Sequence, residues 1–123
     1  MAQQAKPGDV FCLTGGLGAG KTVFAQGFAW GLGCETGAVS PTFTVMHIHG
    51  GGRLVLYHFD LYRLTDAYDA LEGIGYEDYF YADGVCLIEW ADKARGMMPD
   101  NAVWLDISIK KEGTQREMVV HGY

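Results

Sequence analysis

Positive charge is scarce in this chain of 123 residues: nine Lys and Arg stand against fifteen Asp and Glu, a formal net charge of −6. The largest run of bases is the pair Lys110-Lys111. Sequence-independent nucleic-acid binding relies on a basic stripe that releases counterions, so direct contact with tRNA or DNA is not expected. An acidic surface suits a protein partner better. Long apolar runs are also lacking. None approaches the roughly 18 residues of a membrane span, and the opening MAQQAKPGD has no basic-then-apolar leader, so the expected location is the cytoplasm, with no membrane partner. Cysteine is limited to Cys12, Cys34 and Cys86, an odd set without C-x-x-C spacing. That argues against a disulfide framework or a zinc ribbon and for buried, reduced thiols.

What is present is the composition of a folded globule, with 49% hydrophobic, 13% aromatic and 20% charged residues. The length fits one core, hence a single domain over 1–123. Pro7-Gly8-Asp9 reads as a turn leading into a short buried strand, Val10 to Leu13. From Lys21 to Leu32 the residues Val23, Phe24, Phe28 and Leu32 recur at three- and four-residue spacing, which predicts a helix stopped by Gly31 and Gly33. Thr44 to His49 and Arg53 to Phe59 read as two strands joined through Gly50-Gly51-Gly52, the second ending at Asp60. Thr65 or Asp66 caps a helix running to Gly73, with a small helix or turn through Tyr79 after it. Val85 to Ile88 is wholly apolar and ends on Glu89, as expected of a parallel strand covered on both faces. Ala102 to Ile109 alternates, and Glu117 to His121 follows past Gly113, which predicts an antiparallel hairpin at the C-terminal end. The pattern is α/β, with a central, mostly parallel sheet flanked by helices.

Between the first strand and the first helix stands GGLGAGKT, Gly15 to Thr22. Gly15, Gly20, Lys21 and Thr22 satisfy G-x-x-x-x-G-K-[ST] in the strand-then-helix context that the motif requires. In such a loop the backbone N–H groups of Gly15, Gly16, Leu17, Gly18, Ala19 and Gly20, continued by Lys21, Thr22 and Val23 at the helix start, face a polyphosphate. The lysine offsets phosphate charge and the threonine hydroxyl ligates Mg²⁺. The cation then needs an acid at the end of a neighbouring strand, and Asp60 and Glu89 both qualify. Thr42, in SPTFT, lies in a loop preset by Pro41, where a hydroxyl can sense a γ-phosphate. Trp90, after Glu89, either stacks on an adenine or packs in the core, with packing favoured. His47, His49 and His58 alternate on adjacent strands and read as packed or solvated histidines rather than metal ligands, since no cysteine or acid completes a set. Tyr76, Tyr79, Phe80 and Tyr81 read as core or as a partner-facing patch.

Taken in order, GGLGAGKT, SPTFT, YHFDLYRL, GIGYEDYF and LIEWADK resemble the TsaE family of bacterial ATPases required for tRNA threonylcarbamoyladenosine biosynthesis. The resemblance runs from Gly8 to about Val120. It implies a P-loop NTPase-like fold that binds ATP and Mg²⁺, hydrolyses ATP slowly alone, and works with the TsaB and TsaD proteins. Those partners transfer threonylcarbamoyl to adenosine 37 of tRNA, and this chain would power or reset the complex, meeting tRNA only through it. By resemblance Lys21 and Thr22 are the phosphate-loop pair, Thr42 the switch threonine, Asp60 the acid of FDLYR, and Glu89 and Trp90 the EW pair. Thr42, Asp60 and Glu89 are thus the catalytic candidates. Which of the two acids holds Mg²⁺ stays open, with Glu89 preferred. The sequence departs from the family's habit in three places. Little precedes PGDV, so the chain is expected to be shortened at its N-terminus; Gly16 replaces a common Asp; and Val23 replaces a frequent second hydroxyl.

Two alternatives use the same loop. A small P-loop kinase would need basic residues to clamp a second substrate, yet Arg53, Arg63, Arg95 and Arg116 are scattered and no lid-sized insertion is present. A nucleotide-stabilised interaction module would bind ATP without turnover. Action on GTP is disfavoured because no N-K-x-D motif occurs.

Overall fold

The apolar run Val10-Phe11-Cys12-Leu13 lies at the centre of the molecule. In the computed structural model, which describes residues 4–15, 21–34, 46–62, 64–73, 75–80, 84–109 and 116–121, it belongs to strand β1 (Val10–Thr14). β1 has two parallel neighbours, β4 (Val85–Glu89) and β5 (Val103–Ile109). With β2 (Met46–His49), β3 (Leu56–Asp60) and β6 (Arg116–His121), they form a six-stranded sheet of order β2-β3-β4-β1-β5-β6. β3, β4, β1 and β5 are parallel, while β2 and β6 pair antiparallel at the two edges. The expected mostly parallel sheet and its C-terminal hairpin are both present.

Helices cover both faces, which is why β1 and β4 are apolar at nearly every position rather than at alternate ones. Helix α1 (Lys21–Leu32) sets Phe28, Ala29 and Leu32 against Phe11, Leu13, Leu87 and Leu105. On the opposite face α2 (Ala67–Gly73), α3 (Tyr76–Phe80) and a 3₁₀ helix, Ala91–Met97, set Leu71, Phe80, Ala91 and Ala94 against Val10, Cys12, Phe59, Cys86 and Ile88. Successive residues of each strand serve opposite faces, so the parity of a residue assigns its face.

Local chemistry sets the boundaries. Asp66 caps α2, its Oδ1 accepting from the Asp69 N–H at 3.0 Å. β3 begins at Leu56, not at Arg53, because the preceding residues dock on the end of α1. The Arg53 N–H donates to the Leu32 carbonyl at 2.6 Å, and its guanidinium donates to the Ala5 carbonyl at 2.9 Å. Thr44 lies outside the described residues, which resume with β2 at Met46. Phe80 is buried in the core, and the half-buried Tyr76 and Tyr79 pack around the Phe59–Phe80 pair; Tyr81 lies outside the described residues. The 3₁₀ helix is unexpected, although Ala91, Ala94 and Met97 recur at every third residue of ADKARGM and Ala91 and Ala94 are buried. It follows Trp90, whose backbone turns left-handed with φ 60°.

Candidate functional site

The site is built where β1 ends and α1 begins. Gly15 leaves β1 with φ +131°, a conformation side chains resist. A Cβ there would run into the carbonyl oxygen of Ile107 on β5. Glycine is therefore required twice over, for the dihedral and for the close passage across β5. α1 then starts at Lys21, with Thr22 and Val23 in its first turn, and that turn holds no acid. An acid-free helix start is a bare positive dipole end, suited to an anion. Gly16, Leu17, Gly18, Ala19, Gly20 and Thr42 lie outside the described residues.

The two candidate acids meet at this edge. Asp60 ends β3, Glu89 ends β4, and they are partners in the parallel register. Glu89 is also opposite Leu13 of β1. In-register neighbours on adjacent strands stand about 5 Å apart. By parity both carboxyls belong to the face that α1 covers, since Leu13 and Leu87 pack in the α1 core. Their surroundings differ. Asp60 is half-buried, its Oδ1 accepting the Tyr62 N–H at 3.0 Å in a tight turn. Glu89 is only 2% exposed.

A carboxylate so buried requires a donor, and His58 supplies one: Nε2 of the imidazole is 2.6 Å from Oε2 of Glu89. His58 is fully buried on β3, opposite Leu87 and two residues before Asp60, so it occupies the same face. The sequence reading took His58 as a packed strand histidine and missed this contact. A signal was available: a polar side chain inside LVLYHFD shares its parity with the acid that ends the strand.

The neighbouring histidines follow in a row. His47 pairs with His58 across β2 and β3. The His49 ring centroid is 6.2 Å from that of His47 and 6.4 Å from that of His58. Burial first, and then the nearness of the His58 and His47 imidazoles, lowers the His49 pKa from 6.5. An acid does join this row through Glu89, and the Cys34 Sγ donates to the His49 carbonyl at 3.7 Å. Even so, among the described residues no group of three or more His, Cys, Asp or Glu is arranged to hold a metal ion. The cysteines are free and buried, as expected. Burial pushes the thiols of Cys12 and Cys86 up to about 12, so neither is a nucleophile near neutrality.

Trp90 is half-buried and packs its ring on Tyr62 at 4.9 Å between centroids. Lys93 Nζ donates to the Tyr62 carbonyl at 2.8 Å, tying the 3₁₀ helix to the turn after Asp60. The Leu61 N–H donates to the Glu89 carbonyl at 3.1 Å. The ends of β3 and β4 thus share one backbone and side-chain frame. No helix among the described residues is long and apolar enough to cross a membrane.

Comparison with known proteins finds relatives of this chain. The family model for threonylcarbamoyl adenosine biosynthesis protein TsaE matches residues 1–118. A Bacillus subtilis protein named tRNA threonylcarbamoyladenosine biosynthesis protein TsaE is 48% identical over 89% of this chain and 66% of its own length. Proteins of the same name are 38% identical in Haemophilus influenzae, over 87% of this chain and 67% of that one, and 41% identical in Treponema pallidum, over 92% and 82%. The chain spans about two thirds of the length of the first two. A crystal structure of Bacillus subtilis YdiB superposes with a TM-score of 0.77 at 39% identity, covering 95% of this chain and 70% of that one. The fold is P-loop NTPase-like, and with the family pattern matched from residue 1 to residue 118, the chain belongs to the TsaE family.

Proposed function

We propose that this chain is the ATP-binding and ATP-hydrolysing subunit of the machinery that makes N6-threonylcarbamoyladenosine at position 37 of tRNA. It converts ATP and water to ADP and phosphate, weakly alone, and powers or resets a complex of the TsaB and TsaD proteins. The observation that carries this reading is the in-register pair Asp60 and Glu89 at the carboxyl edge of the sheet, beside the glycine that opens the phosphate loop. Ligands of open α/β sheets bind at that edge.

The residues fit ATP and Mg²⁺. Gly15 lets the chain turn closely past Ile107 of β5 into the phosphate loop, the α1 start carries no competing acid, and two acids are register partners at the ends of β3 and β4. The main-chain amides after Gly15 and at the start of α1 bind and orient the phosphates, and Lys21 offsets their charge. Thr22, with Glu89 or Asp60, would hold Mg²⁺. When bound, the cation supplies charge neutralisation at the phosphate oxygens. The acid not engaged with the cation orients the attacking water, and Thr42 responds to the γ-phosphate. Trp90 is the candidate for contact with the base. The net charge of −6 supports contact with tRNA through the protein partners only.

Lys21→Ala is expected to abolish nucleotide binding. Glu89→Gln, which removes the charge but still accepts from His58, is expected to keep most binding and lose turnover measured with TsaB and TsaD present. Unchanged hydrolysis in both variants would overturn the reading.

A further inference from the structure

We infer that His58 is the positioning residue for Glu89, its Nε2–H fixing the orientation of the carboxylate at the carboxyl edge of the sheet. The inference rests on the reading of Glu89 as an acid of the nucleotide site and names the residue through which that acid is aimed.

The contact is short, at 2.6 Å, and both partners are removed from water, His58 fully and Glu89 to 2% exposure. Charge-assisted hydrogen bonds of this length in a low-dielectric setting are the strong ones. The tautomer follows from counting donors. Nδ1 of His58 is buried and has no hydrogen-bond partner among the described residues. A proton there would be a donor without an acceptor, which costs more than an unused lone pair. The proton of this contact therefore resides on Nε2, and the carboxylate accepts it.

The placement of His58 shows why the pair does more than fill space. On β3 it stands one pleat behind Asp60, and the contact runs diagonally to β4, since the register partners are His58 with Leu87 and Asp60 with Glu89. Among the described residues, the charged or titratable groups on this face include Asp60 at the strand end, His47 opposite on β2, His49 with its ring 6.4 Å away, and Cys34, which donates to the His49 carbonyl. Strand β1 contributes Leu13 opposite Glu89. A carboxylate with an apolar neighbour on one side and a fixed donor on the other is restricted in rotamer. Catalytic geometry needs positions held within about 0.5 Å, which is what a locked supporting residue provides.

The test compares the full chain with two variants. His58→Gln carries an N–H at about the reach of Nε2, whereas His58→Met fills the volume without a donor. Three quantities are read: the imidazole ¹⁵N spectrum of the unliganded chain, ATP affinity without magnesium, and kcat and KM for ATP with TsaB and TsaD present. The expected spectrum is that of an Nε2-protonated ring at His58, shifted in Glu89→Gln. His58→Met should lower kcat by about ten- to a hundredfold, the range spanned by one hydrogen bond to a charged group, with affinity and KM moving less than about threefold. His58→Gln should return kcat to within about threefold of the full chain. An Nδ1-protonated ring, or equal kcat in the Gln and Met variants of an active enzyme, overturns the positioning role alone. Failure of the full chain to hydrolyse ATP overturns the proposed function, and the positioning role with it.

Discussion

Gly15→Ala should damage stability and nucleotide binding together, while the same exchange at Gly27 should help stability. At Gly15 the dihedral φ is +131° and the new methyl meets the Ile107 carbonyl oxygen. The conformational cost for a residue with a side chain is about 1–3 kcal/mol, and forcing an extra carbon into packed structure costs about 1–3 kcal/mol more. The total, about 2–6 kcal/mol, is a large part of the stability of an ordinary domain. In urea denaturation this moves the midpoint down by about 1 M or more. Relief is possible only if the start of the loop lifts away from β5, which would also displace the amides proposed to bind phosphate. Gly27 lies inside α1, and a Cβ there meets nothing within 4 Å among the described residues. Ala should then stabilise the helix by about 0.5–1 kcal/mol. Equal midpoints for Gly15→Ala and the unaltered chain, with equal ATP affinity, would refute this account of the loop.

The buried thiols and His49 give pH dependences of opposite direction. Cys12 and Cys86 ionise near 9.0 when unfolded and near 12 when folded, so the unfolded chain loses these protons first. Their contribution to stability is full below pH 9 and is lost as pH rises towards 12; the midpoint of a Cys86→Ala variant should fall less steeply over that range, and an equal slope would contradict the burial effect. The native thiols should also resist a thiol reagent at pH 8 until urea is added. His49 has a folded pKa below 6.5, so the unfolded chain takes up the proton more readily. The stability it contributes is present above pH 6.5 and is lost as pH falls, and His49→Gln should flatten the decline between pH 7 and pH 5.

The sheet was legible because its strands are encoded locally. VFCLT and VCLIE are short apolar runs, and burial on both faces is a property of each run by itself. The two acids were legible for the same reason, as the residues that end apolar runs. Asp66 was readable as a helix cap from residue type and position. What the sequence concealed depends on residues far apart in the chain. The His58–Glu89 contact joins positions 31 apart, diagonally between strands whose register no local pattern prints. The late start of β3 depends on the end of α1, where the Leu32 carbonyl captures the Arg53 N–H. The 3₁₀ helix follows the left-handed turn at Trp90, a conformation that residue type disfavours and that the frame of Tyr62, Lys93 and Glu89 sustains.

The most direct measurement is calorimetric titration of ATP with Mg²⁺ into the chain, repeated after TsaB and TsaD are added. Saturable binding of one nucleotide per chain, lost in Lys21→Ala, is the expected result. Absence of binding for any nucleoside triphosphate with both partners present, or equal binding by Lys21→Ala, would contradict a polyphosphate site at the start of α1.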